Sequence, residues 1–277
     1  MSFQMVMEPI DHLGKRTLML FSYTFRVFAM VYFSIRSVAL DPSQGFRAIF
    51  SVISAQIYYT GWQALPLISI LAAASGGIVV MQSSLQLAKL GGVALLGQVL
   101  VAVIIREIGP LLTALFVIAR SGTAVATELG NMKVNRETEA LEAMGVDPLS
   151  YVVFPRLAGG VISVVCLGIY FVLIALLGGY VVVNLGAQSM PFSFYYDTLA
   201  QAITFEDVIL FLIKISFSGV IIFVIACYQG LLVRNSPHEV PQVTTKAVVN
   251  SILYVMSFNL LITFFSYLGK LQMLGVI

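Results

Sequence analysis

The chain is short of charge. Asp, Glu, Lys and Arg make up 10% of its 277 residues, against 59% that are apolar, and the mean hydropathy is +0.97. An ordinary soluble domain is roughly 25% charged. This excludes a molecule that covers its surface with water-facing side chains. Bases and acids nearly balance, 15 against 13, for a formal net charge of +2. No basic patch is large enough to hold a phosphate backbone, so nucleic acid is not an expected partner. Histidine is reduced to His12 and His238, far apart and in polar segments. There is no HExxH pattern and no Ser-His-Asp set. The two cysteines, Cys166 and Cys227, lie in apolar runs. They are expected to pack as small hydrophobic residues, without disulfide or metal. A phosphate-cradling Walker loop needs Gly-x-x-x-x-Gly-Lys followed by Ser or Thr. Gly-Lys occurs only in Gly14-Lys15-Arg16 and Gly269-Lys270-Leu271. The chain is therefore expected to hold no nucleotide or other cofactor and to be no enzyme by itself; its energy source must come from a partner. A secretory leader is not expected either. Glu8 and Asp11 precede Lys15-Arg16, Arg26 interrupts the apolar run Thr17 to Ile35, and no small-residue cleavage site follows.

What the chain has in quantity is long apolar stretches. A hydrocarbon core of about 30 Å takes about 20 residues of helix. Five stretches qualify, at about Gln63 to Leu87, Val93 to Ala119, Leu157 to Leu185, Val208 to Val233 and Ala247 to Gly269. The run Thr17 to Ile35 is expected to form an amphipathic helix in the membrane interface, with Arg26 and Arg36 snorkelling to water. Gly45 to Tyr59 is broken by Arg47, Ser and Gln, and fits a second interfacial helix. The expected fold is an all-α integral membrane protein, with an interfacial N-terminal region 1–60 and a transmembrane domain 61–277 of five helices. Basic residues gather on the cytoplasmic side of a membrane. A cytoplasmic N-terminus leaves only Lys89 and Lys270 outside, and puts the C-terminus outside as well. The loop Gly186 to Asp207 has no Lys or Arg and three acids, Asp197, Glu206 and Asp207, which suits the outer face. Ala72 with Gly76, Ala73 with Gly77 and Ala88 with Gly92 are spaced for close helix approach. That spacing fits packing within one subunit and a homodimer seam equally. No internal repeat of the kind found in many secondary transporters is evident.

Between the second and third stretches lies a polar island, Arg120 to Arg156. It holds four of the eight glutamates, Glu128, Glu137, Glu139 and Glu142. Ser121 to Met132 continues out of the second stretch. Asn135 is expected to cap a short helix Arg136 to Met144, with Glu137 and Glu139 where the helix dipole favours acids. Lys133 with Glu137, and Arg136 with Glu139, sit at helix-neighbour spacing. Ala140, Leu141 and Met144 form a narrow apolar stripe. Gly145 is a natural stop, and Asp147-Pro148 starts the next helix. The result is a compact knob leading back into the membrane. Acids beside a few apolar residues suit docking to a partner in the water; a solvated link between spans is the plainer alternative.

These residues carry a resemblance. Glu128-Leu129-Gly130-Asn131-Met132-Lys133, then Ala140-Leu141-Glu142-Ala143-Met144-Gly145-Val146-Asp147-Pro148, then Pro155-Arg156 resemble the motifs of the MlaE family. Its members are permease subunits of ABC transporters that work with MCE-domain proteins to move lipids. Upstream, Arg106-Glu107-Ile108-Gly109-Pro110 and Ala119-Arg120-Ser121-Gly122 are similar to the family's Arg-Glu-Leu-Gly-Pro and Gly-Arg-Ala-Gly elements. The likeness runs from about Gly61 to Phe265, with order and spacing kept. Asn135-Arg136-Glu137 departs from the Thr-Glu-Gln of many members. The resemblance implies a homodimer in a bacterial inner membrane that handles phospholipid or a related lipid, in the maintenance of outer-membrane lipid asymmetry. It implies that the knob is a cytoplasmic coupling helix seated on a separate ATPase, which binds ATP and Mg. The matching contact residues are Glu128, Gly130, Met132, Lys133, Arg136, Glu137, Leu141, Glu142, Met144 and Asp147. It further implies an MCE-domain protein on the periplasmic side and, in some systems, a small STAS-domain protein on the ATPase. The element Arg106, Glu107, Gly109 and Pro110 would line a lipid cavity at the dimer centre.

Taken on chemistry alone, Arg106 and Glu107 lie midway along the second stretch, just before Gly109-Pro110, and Pro110 is expected to kink or break that helix. Neighbouring residues on a helix cannot face each other. Each therefore needs another partner, a water-filled cavity or a lipid headgroup. Arg106 is a candidate headgroup contact. Glu107 is a candidate to hold Arg106 of a second subunit or to repel lipid phosphate. Lys214 is expected to snorkel to the outer interface. Two other functions fit the same residues: an ion-driven transporter with Glu107 as proton site, and a scaffold that recruits a cytosolic protein through the knob. The topology has a direct test. Cysteines placed at Gln188 and Ser236 are expected to react with an impermeant thiol reagent from opposite sides of the membrane. Reaction from the same side would overturn the five-span arrangement.

Overall fold

In the computed structural model, residues 22–38, 46–89, 92, 95–185, 191–234 and 236–273 are described. The start of the run from Thr17, the segment 39–45 and residues 186–190 lie outside them. The described residues form helices and no strand. They are α1 (22–38), α2 (Phe46–Thr60), α3 (Leu65–Lys89), α4 (Leu96–Val134), α5 (Glu137–Ala143), α6 (Leu149–Leu185), α7 (Phe192–Ala202), α8 (Phe205–Leu231) and α9 (Glu239–Met273). Five runs are long and apolar enough to cross a membrane: Ile49–Lys89, Leu96–Val134, Leu149–Leu185, Phe205–Leu231 and Glu239–Lys270. The five expected spans are all there. The protein is a multi-pass, all-helical membrane protein.

The first run differs from expectation. The segment from Phe46 does not stand apart; a single 3₁₀ turn, Trp62–Ala64, joins α2 to α3. Gly61 keeps its N–H bonded to the Ile57 carbonyl at 2.8 Å, and Ala64 bonds back to the Gly61 carbonyl at 3.0 Å. Of the polar residues that broke the sequence pattern, Gln56 finds a partner within its own helix. Gln56 donates to the Thr60 hydroxyl at 2.7 Å. A Cβ at Gly159 of α6 would sit 2.9 Å from Gln56 Cβ, so α2 lies directly on α6.

Helix α1 sets one face on the bundle. Val27 and Ser34 are buried there, and the Tyr23 hydroxyl accepts from Gln229 of α8 at 3.0 Å and from Asn250 of α9 at 3.2 Å. Phe25, Phe28, Tyr32, Phe33 and Ile35 point outward and are more than half exposed. Arg26 folds back on the Ser22 carbonyl at 3.2 Å. The apolar residues thus lie on both faces of α1, not on one.

Small residues decide how α3 meets α6. A Cβ at Gly76 would lie 2.0 Å from the Ala175 carbonyl oxygen, one at Gly178 2.8 Å from Ala73 Cα, and one at Gly179 2.3 Å from Val80 Cγ2. Without helix-to-helix hydrophobic drive inside a membrane, such close van der Waals contact is what holds helices together. The Ala72, Ala73, Gly76 and Gly77 stripe therefore packs within one chain. Helix α7 closes one end of the bundle: a Cβ at Gly97 would meet the Thr198 carbonyl at 2.0 Å, and the Tyr195 hydroxyl donates to the Leu176 carbonyl at 3.0 Å. Gly76→Val is expected to lower the thermal midpoint of the detergent-solubilised protein by several degrees, on the scale of about 1–3 kcal/mol of overpacking. Gly92→Val, which would meet only Leu95 and Leu87, is expected to leave it unchanged. Equal midpoints for the two variants would contradict this account of the packing.

Candidate functional site

Pro110 organises the centre of the bundle. Of the kink or break expected there, the break does not occur: α4 runs through, though not as regular α-helix. The helix widens to a π-helical stretch, Val101–Ile108, and resumes as α-helix from Gly109, with Pro110 in its first turn. Proline has no N–H to give the carbonyl four residues back, which here is that of Arg106. The Lys214 ammonium of α8 donates to this carbonyl instead, at 2.7 Å. The same ammonium donates to Glu107 Oε1 at 2.9 Å and to Thr263 Oγ1 of α9 at 2.8 Å. All three donors of the ammonium are thus used, and Lys214 is only 2% exposed. It is not at an outer interface. The freed carbonyl and the Glu107 carboxylate together hold it inside.

Arg106 and Glu107 do not face each other, as expected, and diverge to different partners. The Arg106 guanidinium pairs with Asp207, at the start of α8, its Nε 2.5 Å from Oδ1. Asp207 is fully buried. Its other oxygen accepts from the Thr204 hydroxyl at 2.7 Å and the Thr204 N–H at 3.0 Å, forming a capping box that starts α8. Arg106 is thus engaged within its own chain. Gly109 and Pro110 are buried in the packing against α6 and α8, and a Cβ at Gly109 would meet Val172 at 2.8 Å. Of the four residues in this element, Glu107 alone lines an open groove. Its side chain is 43% exposed. The groove, about 460 Å³, runs between α4 and α9 and is otherwise formed by Leu111, Met256, Asn259, Leu260, Thr263, Phe264 and Tyr267. It is an apolar trough with one carboxylate at its wall, a shape and chemistry that fit an amphipathic molecule.

The sequence reading missed Asp207, Thr263 and Asn259. Thr204-x-x-Asp207 is a capping pattern that marks the α8 start, so one of Asp207's two roles had a local signal. Its pairing with Arg106, 101 residues away, had none.

The polar island folds as a braced knob. Asn135 is not the N-cap of α5. It ends α4, its N–H bonded to the Asn131 carbonyl at 2.9 Å, and Arg136 makes the reversal in the left-handed region at φ 57°. The Asn135 amide donates to Glu137 at 3.2 Å. This break swings α5 away from the α4 register, so neither expected pair forms among the described residues; Lys133 lies 4.0 Å from Glu139 instead. Gly145, at φ 78°, closes α5 with paired bonds, Gly145 N–H to the Glu142 carbonyl at 3.0 Å and Val146 N–H to the Leu141 carbonyl at 2.9 Å. Asp147 caps the next helix through the Leu149 N–H at 3.1 Å, as expected, and also accepts from Ser37 of α1. Arg156, buried, donates to Glu128 at 2.7 Å and to the Val152 carbonyl at 3.0 Å, tying the foot of α6 to α4.

The ten expected docking residues therefore separate. Glu128, Gly130 and Asp147 brace the knob; a Cβ at Gly130 would press on Val233 and Val240 at 3.2–3.4 Å. Met132, Lys133 and Leu141 are half-buried. Arg136, Glu137, Glu142 and Met144 are exposed, Met144 by 69%.

Five membrane-length helices, charges paired within the bundle and an exposed helical knob are features that a membrane permease would have. The chain belongs to the MlaE permease family: the family model, Permease MlaE, matches residues 53–265. It is 31% identical over 263 residues to a probable ABC transporter permease protein of Rickettsia bellii, covering 94% of this chain and 98% of that protein. It is 28% identical over 260 residues to the intermembrane phospholipid transport system permease protein MlaE of Haemophilus influenzae, covering 94% and 97%. It is also 28% identical over 219 residues to the chloroplastic protein TRIGALACTOSYLDIACYLGLYCEROL 1 of Arabidopsis thaliana, covering 77% and 61%.

The paired charges have a test. Lys214→Met leaves the Glu107 carboxylate without its cation. Loss of one partner of a buried pair costs about 3–5 kcal/mol, and the partial exposure of Glu107 puts the expectation near the lower end. Lys214→Met combined with Glu107→Gln removes both charges and is expected to recover most of that loss in denaturant unfolding. A double variant as unstable as the single one would contradict the pairing.

Proposed function

We propose that this chain is the transmembrane permease subunit of an ABC transporter that moves phospholipid between a bacterial inner membrane and a periplasmic MCE-domain protein. Two copies form the membrane unit. A separate ATPase binds ATP and Mg and drives the cycle; in some systems a STAS-domain protein sits on that ATPase. The N-terminus is cytoplasmic and the C-terminus periplasmic. The role is the upkeep of outer-membrane lipid asymmetry.

The observation that carries this reading is the braced knob. A helix that transmits force must not fold away when pushed. Here α5 is stopped at both ends by defined turns, and its base is tied through Arg156–Glu128 to α4 and through Asp147–Ser37 to α1. It exposes acids beside Ala140, Ala143 and, just past its end, Met144. This suits a coupling helix seated in a groove with a basic rim and an apolar floor. The α4–α9 groove supplies the lipid path, its apolar walls taking acyl chain and Glu107 meeting the donors of a headgroup. Arg106, held by Asp207, sets the shape of that path and does not touch lipid. Membership of an ABC permease family displaces the reading of an ion-driven transporter with Glu107 as proton site.

Glu142→Lys and Met144→Asp, both on the exposed side of α5, are expected to reduce co-purification of the ATPase at least tenfold while the permease still inserts. Single exposed ion pairs contribute only about 0–1 kcal/mol, so the combined variant is the decisive one. Full co-purification and unchanged lipid transfer by the combined variant would reject the docking role. Glu128→Lys acts differently: it strands buried Arg156 and is expected to lower stability before it affects docking.

A further inference from the structure

The membrane-spanning runs contain three arginines: Arg106, Arg120 and Arg156. Two are neutralised, Arg106 by Asp207 and Arg156 by Glu128. Arg120 makes no ion pair among the described residues. An arginine near the end of a span pairs with an acid or a carbonyl, reaches out to the interface, or meets a ligand. Arg120 sits in the second π-helical turn of α4, Ile118–Gly122, and such turns recur at functional sites.

Its guanidinium donates once, from Nη1 to the Tyr59 carbonyl at the end of α2, at 3.0 Å. A guanidinium has five N–H donors, and no other acceptor among the described residues holds the rest. They belong to a pocket of about 260 Å³ between α2, the turn that follows it, and α4. Its lining includes the neutral polar residues Gln56, Tyr59, Thr60, Gln63 and Ser121. The Thr60 oxygen takes the Gln56 amide at 2.7 Å. One carboxylate, Glu128, is in the lining, and it is already bonded to Arg156 at 2.7 Å. With Glu128 taken by Arg156, Arg120 is the charge in this lining that no ion pair matches among the described residues.

Its depth identifies the anion. Arg120 lies 24 residues beyond Leu96, roughly 36 Å along a helix that rises 1.5 Å per residue. That exceeds the hydrocarbon core of about 30 Å and falls in the headgroup layer. The anion of that layer is phosphate, and a guanidinium fork holds phosphate by two parallel hydrogen bonds. We propose that the Arg120 pocket binds a phosphate group, at the end of the bundle that carries the knob and separate from the α4–α9 groove. The phosphate comes from a lipid headgroup or from free phosphate in the adjoining water. The site holds whichever way lipid moves through the groove.

The test uses the full chain in phosphatidylcholine nanodiscs. One probe is phosphatidylglycerol with a photoreactive headgroup; the other is radiolabelled inorganic phosphate. Arg120→Lys keeps a donor for the Tyr59 carbonyl but cannot copy the fork, so it is expected to fold with an unchanged thermal midpoint. It is expected to bind the probe about tenfold more weakly, and Arg120→Gln more weakly still. Lys246→Gln, a basic residue outside the pocket, is expected to bind as the native chain does. Arg120-dependent capture of the lipid probe, undisturbed by free phosphate, assigns the site to a headgroup. Arg120-dependent binding of inorganic phosphate without lipid capture assigns it to soluble phosphate. If neither Arg120 variant loses binding of either probe, or if Lys246→Gln loses as much, the pocket is not a phosphate site and the proposal fails.

Discussion

A charge inside a membrane must be matched. An unpaired ionised side chain at the middle of a spanning helix costs about 2.5–3.5 kcal/mol even on the mildest scale. This chain places Arg106, Glu107, Asp207 and Lys214 within its spanning runs, and the matching of those four dictates how the helices sit. Arg106–Asp207 fixes α4 against the start of α8. Lys214, one helical stretch further along α8, reaches back to Glu107 and on to Thr263, which brings in α9. Three helices are thus joined by two cross-connected ion pairs around a proline. Pro110 gives the arrangement its register, because the carbonyl it leaves without an amide partner is the one Lys214 takes.

Elsewhere, apart from the Arg156–Glu128 pair at the foot of α6, the bundle is held mainly by contact. The α3–α6 seam is a run of Gly and Ala in which backbone meets side chain almost directly. These two mechanisms divide the molecule. The α3–α6 side is closely packed. The α9 side is bound through a few polar links and leaves Leu253, Leu260, Leu261, Phe264 and Phe265 more than half exposed. The α4–α9 groove opens on that looser side, where a helix can shift while giving up little packing. The proposed transport path runs along that side.

The five spans were legible because a run of twenty apolar residues has few other solutions in water or lipid. The end of α5 and the start of α6 were legible for a similar reason: Gly145 and Asp147-Pro148 act on the backbone within a few residues. The partners of the buried charges were not. Nothing near Lys214 in the chain indicates that its carbonyl partner is 108 residues away, and snorkelling is the ordinary solution for a lone lysine near a helix end. Asn135 misled because a residue that suits an N-cap also suits the last turn of the preceding helix, and only the left-handed Arg136 decides between them. Among the motif residues, Gly130 shows the limit most plainly. Its place in a recognisable pattern pointed to a partner surface, whereas its hydrogen atom faces Val233 and Val240.

The proposed docking at α5 and lipid binding in the groove both depend on α4 holding its place between α8 and α9, so the account stands on the matched charges. The most direct measurement is a double-mutant cycle on Arg106→Met and Asp207→Leu, read as unfolding free energy of the full chain in nanodiscs. The cycle cancels the separate loss of the Asp207 capping box. A coupling of about 2 kcal/mol or more is the expected result, within the range found for residues that share one network. Single-variant losses that simply add, to within about 0.5 kcal/mol, would show that the pair does not hold α4 to α8.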